Sequence, residues 1–137
     1  MTDQVEIVIA NRPAEKARAL DWVERFGREH GCSAPRMRKL QLAVEEHLTN
    51  ILAYAYEDGL DHEILLRAQW QVGCLAIQIE DDGRAFNPLD RPPPEVTLPL
   101  DQRPIGGLGI HMMRRSVDAV EYRRQANRNI LSLKLYH

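Results

Sequence analysis

The chain has 137 residues, of which 44% are hydrophobic and 28% are charged, and its formal net charge is −2. This length suits one domain with a two-layer core, so we expect residues 1–137 to form a single domain. The small net charge argues against direct nucleic-acid binding. The sequence has neither an apolar run long enough to span a membrane nor an export signal at its start, so we expect a cytoplasmic protein. In that compartment we expect Cys32 and Cys74 to be free thiols.

Residue patterns in the first part of the chain predict one strand and two helices. Residues 5–10 alternate enough for a short strand. Pro13 suits the first turn of a helix, and apolar residues at helical spacing extend this helix as far as Gly27. Residues 33–35 (Ser-Ala-Pro) start a second helix, which we expect to end at Asp58-Gly59.

The second helix has two distinct faces. One is an apolar stripe, made of Met37, Leu40, Val44, Leu48, Ile51 and Ala55. The other carries Glu46 and Asn50, which stand one turn apart among small and apolar side chains. A carboxylate beside a carboxamide in such surroundings indicates a lined site. The alternative is an ordinary helix with an exposed polar pair.

A hairpin of two strands is predicted after this helix. Residues 63–70 and 74–80 are separated by a short connection that ends in Gly73. In the second strand, apolar residues alternate with others, which is typical of an antiparallel sheet with one buried face. We expect this strand to end at Asp81.

Asp81 and Gly83 stand where this strand runs into a turn. A carboxylate can accept a hydrogen bond from the exocyclic amine of adenine, whereas the carbonyl of guanine would be repelled. A nearby glycine lets a planar group approach the backbone closely. These residues therefore fit an adenine site, with a plain acidic turn as the alternative.

A proline-rich segment follows. Residues 87–105 hold six of the eight prolines, so we expect a long loop that acts as a lid or a tether. The glycine-rich residues 106–109 then lead into a helix, whose free N–H groups and dipole suit phosphate oxygens. The alternative there is a permissive turn. Two final strands, residues 119–124 and 130–136, are expected to form a hairpin across residues 125–129.

A nucleotide site in this chain would lack the lysine of a Walker A loop, because neither Lys-Ser nor Lys-Thr follows the glycines. A magnesium ion would compensate, with Asn50 as one oxygen ligand. Glu46, one turn away, would then take a proton from a water or hydroxyl group directed at the terminal phosphate.

The order of these motifs resembles the ATPase superfamily that includes gyrase, histidine kinases and MutL. Residues 42–56 resemble its N box, residues 81–88 its first glycine box and residues 106–109 its second. The short chain is similar to the anti-sigma-factor serine kinases of the RsbW type.

The resemblance implies a Bergerat ATP-binding fold, an α/β sandwich in which helices cover one face of a mixed, mostly antiparallel sheet. It implies Mg-ATP as the bound nucleotide and residues 87–105 as an ATP lid. The implied site residues are Asn50 on the metal, Asp81 on adenine, and Gly83, Gly107 and Gly109 around the pocket.

In the kinase branch of this family, Glu46 would activate a serine hydroxyl of an anti-anti-sigma protein with a STAS domain. The other partner implied is a sigma factor, which is sequestered when the antagonist is phosphorylated. Members of the family often pair, so a homodimer agrees with the resemblance.

Three other functions stay open: an ATP-binding module that sequesters a partner without phosphotransfer, an ATP hydrolase, and a histidine-kinase fragment. Glu46 favours the kinase. Ala85, which replaces the last glycine of the first glycine box, favours the binding module. Tyr54 stands where relatives often have histidine, and His47 is interpreted as structural.

Overall fold

The computed structural model describes residues 3–90 and 113–136. Its elements are β1 (Asp3–Ala10), α1 (Glu15–Glu29), α2 (Ala34–Tyr54), β2 (Glu63–Gln71), β3 (Cys74–Asp81), a 3-10 helix (Pro88–Asp90), β4 (Ala119–Gln125) and β5 (Arg128–Tyr136). Residues 113–116 are also helical. None of the helices in these ranges combines the length and the apolar character needed to span a bilayer.

The five strands form one sheet in the order β1-β2-β3-β5-β4, and every pairing is antiparallel. Apolar side chains of α1 and α2 join those of the sheet in one core, so both helices cover the same face. The other face carries polar side chains in register. Arg67, for example, donates hydrogen bonds to Glu6 and Gln78, both of 3.0 Å. The predicted sandwich of helices on one face of an antiparallel sheet is confirmed.

The apolar stripe of α2 forms the centre of the core. All six of its predicted members are buried, and Leu40, Val44 and Leu48 have no exposed surface at all. Helical periodicity was sufficient to identify this face, because apolar residues that recur every three or four positions form one continuous face that can pack on the sheet.

The end of α2 differs from the prediction. The helix stops at Tyr54 and not at Asp58-Gly59. The backbone N–H of Arg84 donates to the carbonyl of Ala55 (3.0 Å), and its side chain donates to the carbonyl of Tyr54 (2.6 Å). A distant loop thus supplies donors for the last carbonyls of the helix, which no local signal could reveal.

The last hairpin also has a tighter connection than expected. β4 and β5 are joined by Ala126 and Asn127, whose φ angles are +53° and +62°. Two successive residues at positive φ form the turn that best matches strand twist, and it places Asn129 inside β5 rather than in the loop. Cys32 and Cys74 are free and half-buried.

Candidate functional site

The turn after β3 is joined to the end of α2 at Gly83. A Cβ atom on Gly83 would lie 2.5 Å from the Cβ and 2.6 Å from the carbonyl oxygen of Ala55, so only glycine fits there. Arg84 strengthens the junction through Tyr54 and through an ion pair with Glu57 (2.7 Å). The close approach at Gly83 is therefore made by the helix, and its contact with a ligand stays a prediction.

This junction fixes how the predicted site residues are spaced. Asn50 lies five residues before Ala55 and Glu46 lies nine before it, which places them about 7.5 and 13.5 Å along the helix axis from the junction. Asp81 comes two residues before Gly83, at the junction itself. Asp81, Asn50 and Glu46 thus lie at three successive levels along the axis of α2, which agrees with an elongated ligand.

Asp81 is 1% exposed and faces the helices from the end of β3. Its Oδ1 atom accepts hydrogen bonds from the backbone N–H of Gly83 (2.9 Å) and from Nδ2 of Asn129 (3.0 Å). Burial raises the pKa of this carboxyl, while the two hydrogen bonds oppose the shift. Its Oδ2 atom has no donor among the described residues, so an acceptor remains free for a ligand.

Asn129 is the partner of Asp81 across β3 and β5, and it is 3% exposed. Its Nδ2 atom also donates to the carbonyl of Arg84 (2.8 Å). Its Oδ1 atom accepts hydrogen bonds from the backbone N–H of Phe86 (3.3 Å), the hydroxyl of Tyr122 (2.5 Å) and Nη1 of Arg124 (3.0 Å). One side chain therefore connects the turn after β3 to β4 and β5.

Arg124 completes this network. Its Nη1 atom donates to the carbonyl of Gly83 (2.8 Å) as well as to Asn129. These two hydrogen bonds give Arg124 a role in holding the turn.

Tyr56 and His62 contact each other and Asp82 in the turn after β3. The Tyr56 hydroxyl donates to Asp82 (3.1 Å), and its ring stacks on His62 with centroids 4.1 Å apart. Burial, helped by the nearby carboxylates, raises the pKa of Tyr56. The hydroxyl therefore keeps its proton and acts as a donor.

Asn50 and His47 are buried polar residues one turn apart on α2, with exposed fractions of 5% and 2%. Nδ2 of Asn50 and both ring nitrogens of His47 lack a hydrogen-bond partner in the part of the chain that the structure describes. Buried polar atoms are nearly always paired, so an orphaned amide nitrogen at a predicted site points to an acceptor on a ligand. An NH2 group donates and does not bind a cation, so this observation fits a phosphate oxygen near Asn50, while the metal-binding role of its Oδ1 atom stays a prediction.

His47 makes the stability of the fold depend on pH. Burial lowers its pKa from 6.5 to about 4, so the folded state binds fewer protons than the unfolded state between these values. Its contribution is complete above pH 6.5 and is lost as the pH falls towards 4. We expect the free energy of unfolding to decrease by about 2 kcal/mol between pH 7 and pH 5 from this residue.

Urea denaturation at pH 7 and pH 5 measures the free energy of unfolding. In His47→Leu the decrease that comes from this histidine should be absent. His62→Gln is the matched control. Hydrogen bonding to Asp58 raises the pKa of His62, so its contribution is lost as the pH rises and has the opposite sign. An equal decrease in the parent and in His47→Leu would contradict the assignment.

Glu46 is half-buried on α2, whereas its neighbour Glu45 is exposed. Within the described ranges the Glu46 carboxylate makes neither a hydrogen bond nor an ion pair. Its lone pairs are therefore available for a proton, as general-base chemistry requires. Its role as a base stays a prediction.

The predicted Gly107 and Gly109, and most of the lid at 87–105, lie outside the described residues. Two departures from the family pattern can be placed. Ala85 is not among the described residues with positive φ, so its methyl group fits the turn without strain. The ring of Tyr54 packs against that of Phe86, with centroids 6.0 Å apart.

Asn129, Arg124 and Tyr122 hold the turn after β3 but were not predicted from the sequence. One signal was present: the core-facing positions of β5 are leucines at 131, 133 and 135, and asparagine continues their alternation at 129. A polar residue on the buried face of a strand needs buried partners, so this break in the pattern pointed to a site.

Comparisons with known proteins agree with this geometry. Residues 9–135 match the family described as "Histidine kinase-like ATPase domain". The chain is 30% identical to the serine/threonine-protein kinase BtrW of Bordetella bronchiseptica over 132 residues, which cover 96% of this chain and 92% of that protein. It is 34% identical to the serine-protein kinase RsbW of Bacillus pumilus over 97 residues, which cover 66% of this chain and 59% of that protein.

Two solved structures have a similar fold. A structure of the RsbU and RsbW domains of a Mycobacterium tuberculosis protein superimposes with a TM-score of 0.66 at 11% identity, covering 98% of this chain and 32% of that one. The histidine kinase domain of a blue-light activated kinase from Erythrobacter litoralis gives a TM-score of 0.58 at 20% identity, covering 90% and 59%. At these identities the likeness concerns the fold alone.

Proposed function

This chain belongs to the histidine kinase-like ATPase domain family, and we propose that it is an ATP-dependent protein serine/threonine kinase of the anti-sigma, partner-switching type. Its relative BtrW is named a serine/threonine-protein kinase, and its relative RsbW is named a serine-protein kinase. The observation that best supports a nucleotide site is the Gly83–Ala55 junction, which brings Asp81 at the end of β3 to the end of the helix that carries Asn50 and Glu46.

Each of these residues has a part in the proposed reaction. Asp81 accepts a hydrogen bond from the exocyclic amine of adenine through its free Oδ2 atom. Asn50 lies farther along the helix, where the phosphates would lie. Glu46 takes the proton of a serine hydroxyl as its oxygen attacks the terminal phosphate, and the bond from this phosphorus to the bridging oxygen of ADP breaks.

We further propose Mg²⁺ as the metal, with Asn50 as its protein ligand. The described residues contain no group of three His, Cys, Asp or Glu side chains that would bind a cation alone, so the ion would need oxygens of the nucleotide. The unpartnered Nδ2 atom of Asn50 would donate to a phosphate oxygen of such a complex, while its Oδ1 atom would bind the ion. Bound Mg²⁺ would neutralise charge on the phosphates, and residues 87–105 with Gly107 and Gly109 would enclose them.

The proposed protein substrate is an anti-anti-sigma protein with a STAS domain, and the proposed second partner is a sigma factor that the chain sequesters. The proposal rests on membership of the RsbW group and on the half-buried, unpaired carboxylate of Glu46. We propose that residues 1–137 act as one cytoplasmic domain, alone or as a homodimer.

Nucleotide binding is expected to stabilise the fold. At about a thousand times its dissociation constant, Mg-ATP should raise the free energy of unfolding by roughly 4 kcal/mol, because it binds only the folded state. Thermal denaturation with ATP, with and without Mg²⁺, measures this effect.

Asn50→Ala is the informative variant. The Asn50 amide nitrogen has no partner in the described protein, so its removal should leave the ligand-free stability nearly unchanged. The part of ATP stabilisation that depends on Mg²⁺ should be lost. Equal ATP affinity with and without Mg²⁺ in the parent would contradict the metal site.

The kinase itself is tested with labelled Mg-ATP and a STAS protein from the same organism, followed by mapping of the phosphorylated residue. We expect one phosphoserine on the STAS protein. ATP binding without any transfer would support the binding module, and ATP hydrolysis without transfer would support the hydrolase.

A further inference from the structure

The hydrogen-bond network around Asn129 leaves the orientation of its amide unambiguous. Two acceptors, Asp81 Oδ1 and the carbonyl of Arg84, meet one end of the group, and three donors meet the other. A flipped amide would set oxygen against two oxygens and nitrogen against three donors, so only one assignment is compatible with these neighbours.

The same network leaves Asn129 with no capacity for a ligand. Both Nδ2 protons and both lone pairs of Oδ1 are engaged by protein atoms, and the side chain is 3% exposed. A direct contact with a nucleotide base would require breaking one of these buried bonds. Any influence of Asn129 on the base must therefore pass through another residue.

That residue is Asp81, which offers two oxygens that differ in their surroundings. Oδ1 is engaged by the Gly83 N–H and by Asn129, while Oδ2 lacks a donor within the described residues. Because Asp81 is nearly fully buried, its side chain depends on those two hydrogen bonds for its orientation. They also lower the pKa of this carboxyl, although the larger effect of burial raises it.

We propose that Asn129 is a positioning residue for adenine recognition: its amide holds Oδ1 of Asp81 and thereby presents Oδ2, as a pure acceptor, to the exocyclic amine of the base. This inference rests on the proposed ATP site. It adds that selection of adenine over 6-oxopurines depends on a residue that does not touch the nucleotide.

The test compares the affinities for ATP and ITP, whose bases carry an amine and a carbonyl at the same position. In Asn129→Asp an oxygen replaces the nitrogen that donates to Asp81, so the two carboxyl groups must share a proton or turn apart. A rotated Asp81 no longer presents Oδ2 to the base, and a shared proton on Oδ1 makes Oδ2 a weaker acceptor. We expect the ratio of ATP to ITP affinity to fall about tenfold or more.

A control variant separates positioning from general damage. Ser132→Ala, on the opposite face of β5, should leave the ratio unchanged. If Asn129→Asp weakens ATP and ITP equally, the residue is only structural and the inference is wrong.

A second measurement uses the parent protein and does not depend on a variant folding. The Nδ2 protons of Asn129, followed by NMR, should be protected from exchange both without and with ATP. Rapid exchange of these protons with solvent, or a hydrogen bond from them to the nucleotide, would overturn the inference. Failure to bind either nucleotide would instead refute the proposed function, so the two failures are distinguishable.

Discussion

Replacing Glu46 by alanine is expected to reduce phosphotransfer to the STAS protein by about 10²–10⁴-fold, the usual contribution of a general base. ATP affinity should change little, because the carboxylate makes no hydrogen bond or ion pair in the described structure and lies about 13.5 Å along α2 from the adenine end. Initial rates with labelled ATP give the first quantity, and ATP-dependent thermal stabilisation gives the second.

Glu45→Ala is a close control for this experiment. It removes the same charge from the same turn of α2, but its side chain is exposed and points about 100° away around the helix. The rate should therefore be close to that of the parent protein. Undiminished transfer in Glu46→Ala would show that another group acts as the base.

Replacing Asp81 by asparagine is expected to change which purine is bound. The new carbonyl oxygen can accept the two hydrogen bonds now made to Oδ1, from Gly83 and Asn129, so the new amide nitrogen would lie where Oδ2 lies. This NH2 group repels the exocyclic amine of adenine but can donate a hydrogen bond to the carbonyl of guanine. The preference for ATP over GTP should fall by about a hundredfold or more.

Competition binding with ATP and GTP measures this preference, and Asp82→Asn is the control. Asp82 follows Asp81 directly but is exposed and bonded to Tyr56 and His62, so its change should not alter purine selection. An unchanged ATP preference in Asp81→Asn would mean that the base is recognised elsewhere.

Ala85 was the sequence feature that favoured a binding module over a kinase. In the structure the turn from Asp81 to Phe86 closes without positive φ at this position, and the turn is held by Arg124 and Asn129 instead. The missing glycine therefore gives no structural reason to expect an altered adenine site. Phosphotransfer assays, rather than this substitution, decide between the two functions.

The sequence alone predicted the described helices and strands and the candidate site residues. Apolar periodicity identified the buried face of α2 and the core-facing residues of β3, because burial repeats with the period of the backbone. The same reasoning singled out Glu46 and Asn50, since polar residues among small and apolar ones break the pattern of a solvated helix face. Asp81 was identified from its position at a strand end.

The tertiary structure decided how these pieces meet. The end of α2, the need for glycine at position 83 and the bond between Asp81 and Asn129 all join segments far apart in the chain; the last pair is 48 residues apart. Periodicity reports only whether a side chain is buried. Which partner forms a hydrogen bond with a buried polar side chain depends on strand register and on the packing of a loop against a helix. Both exist only in the folded chain.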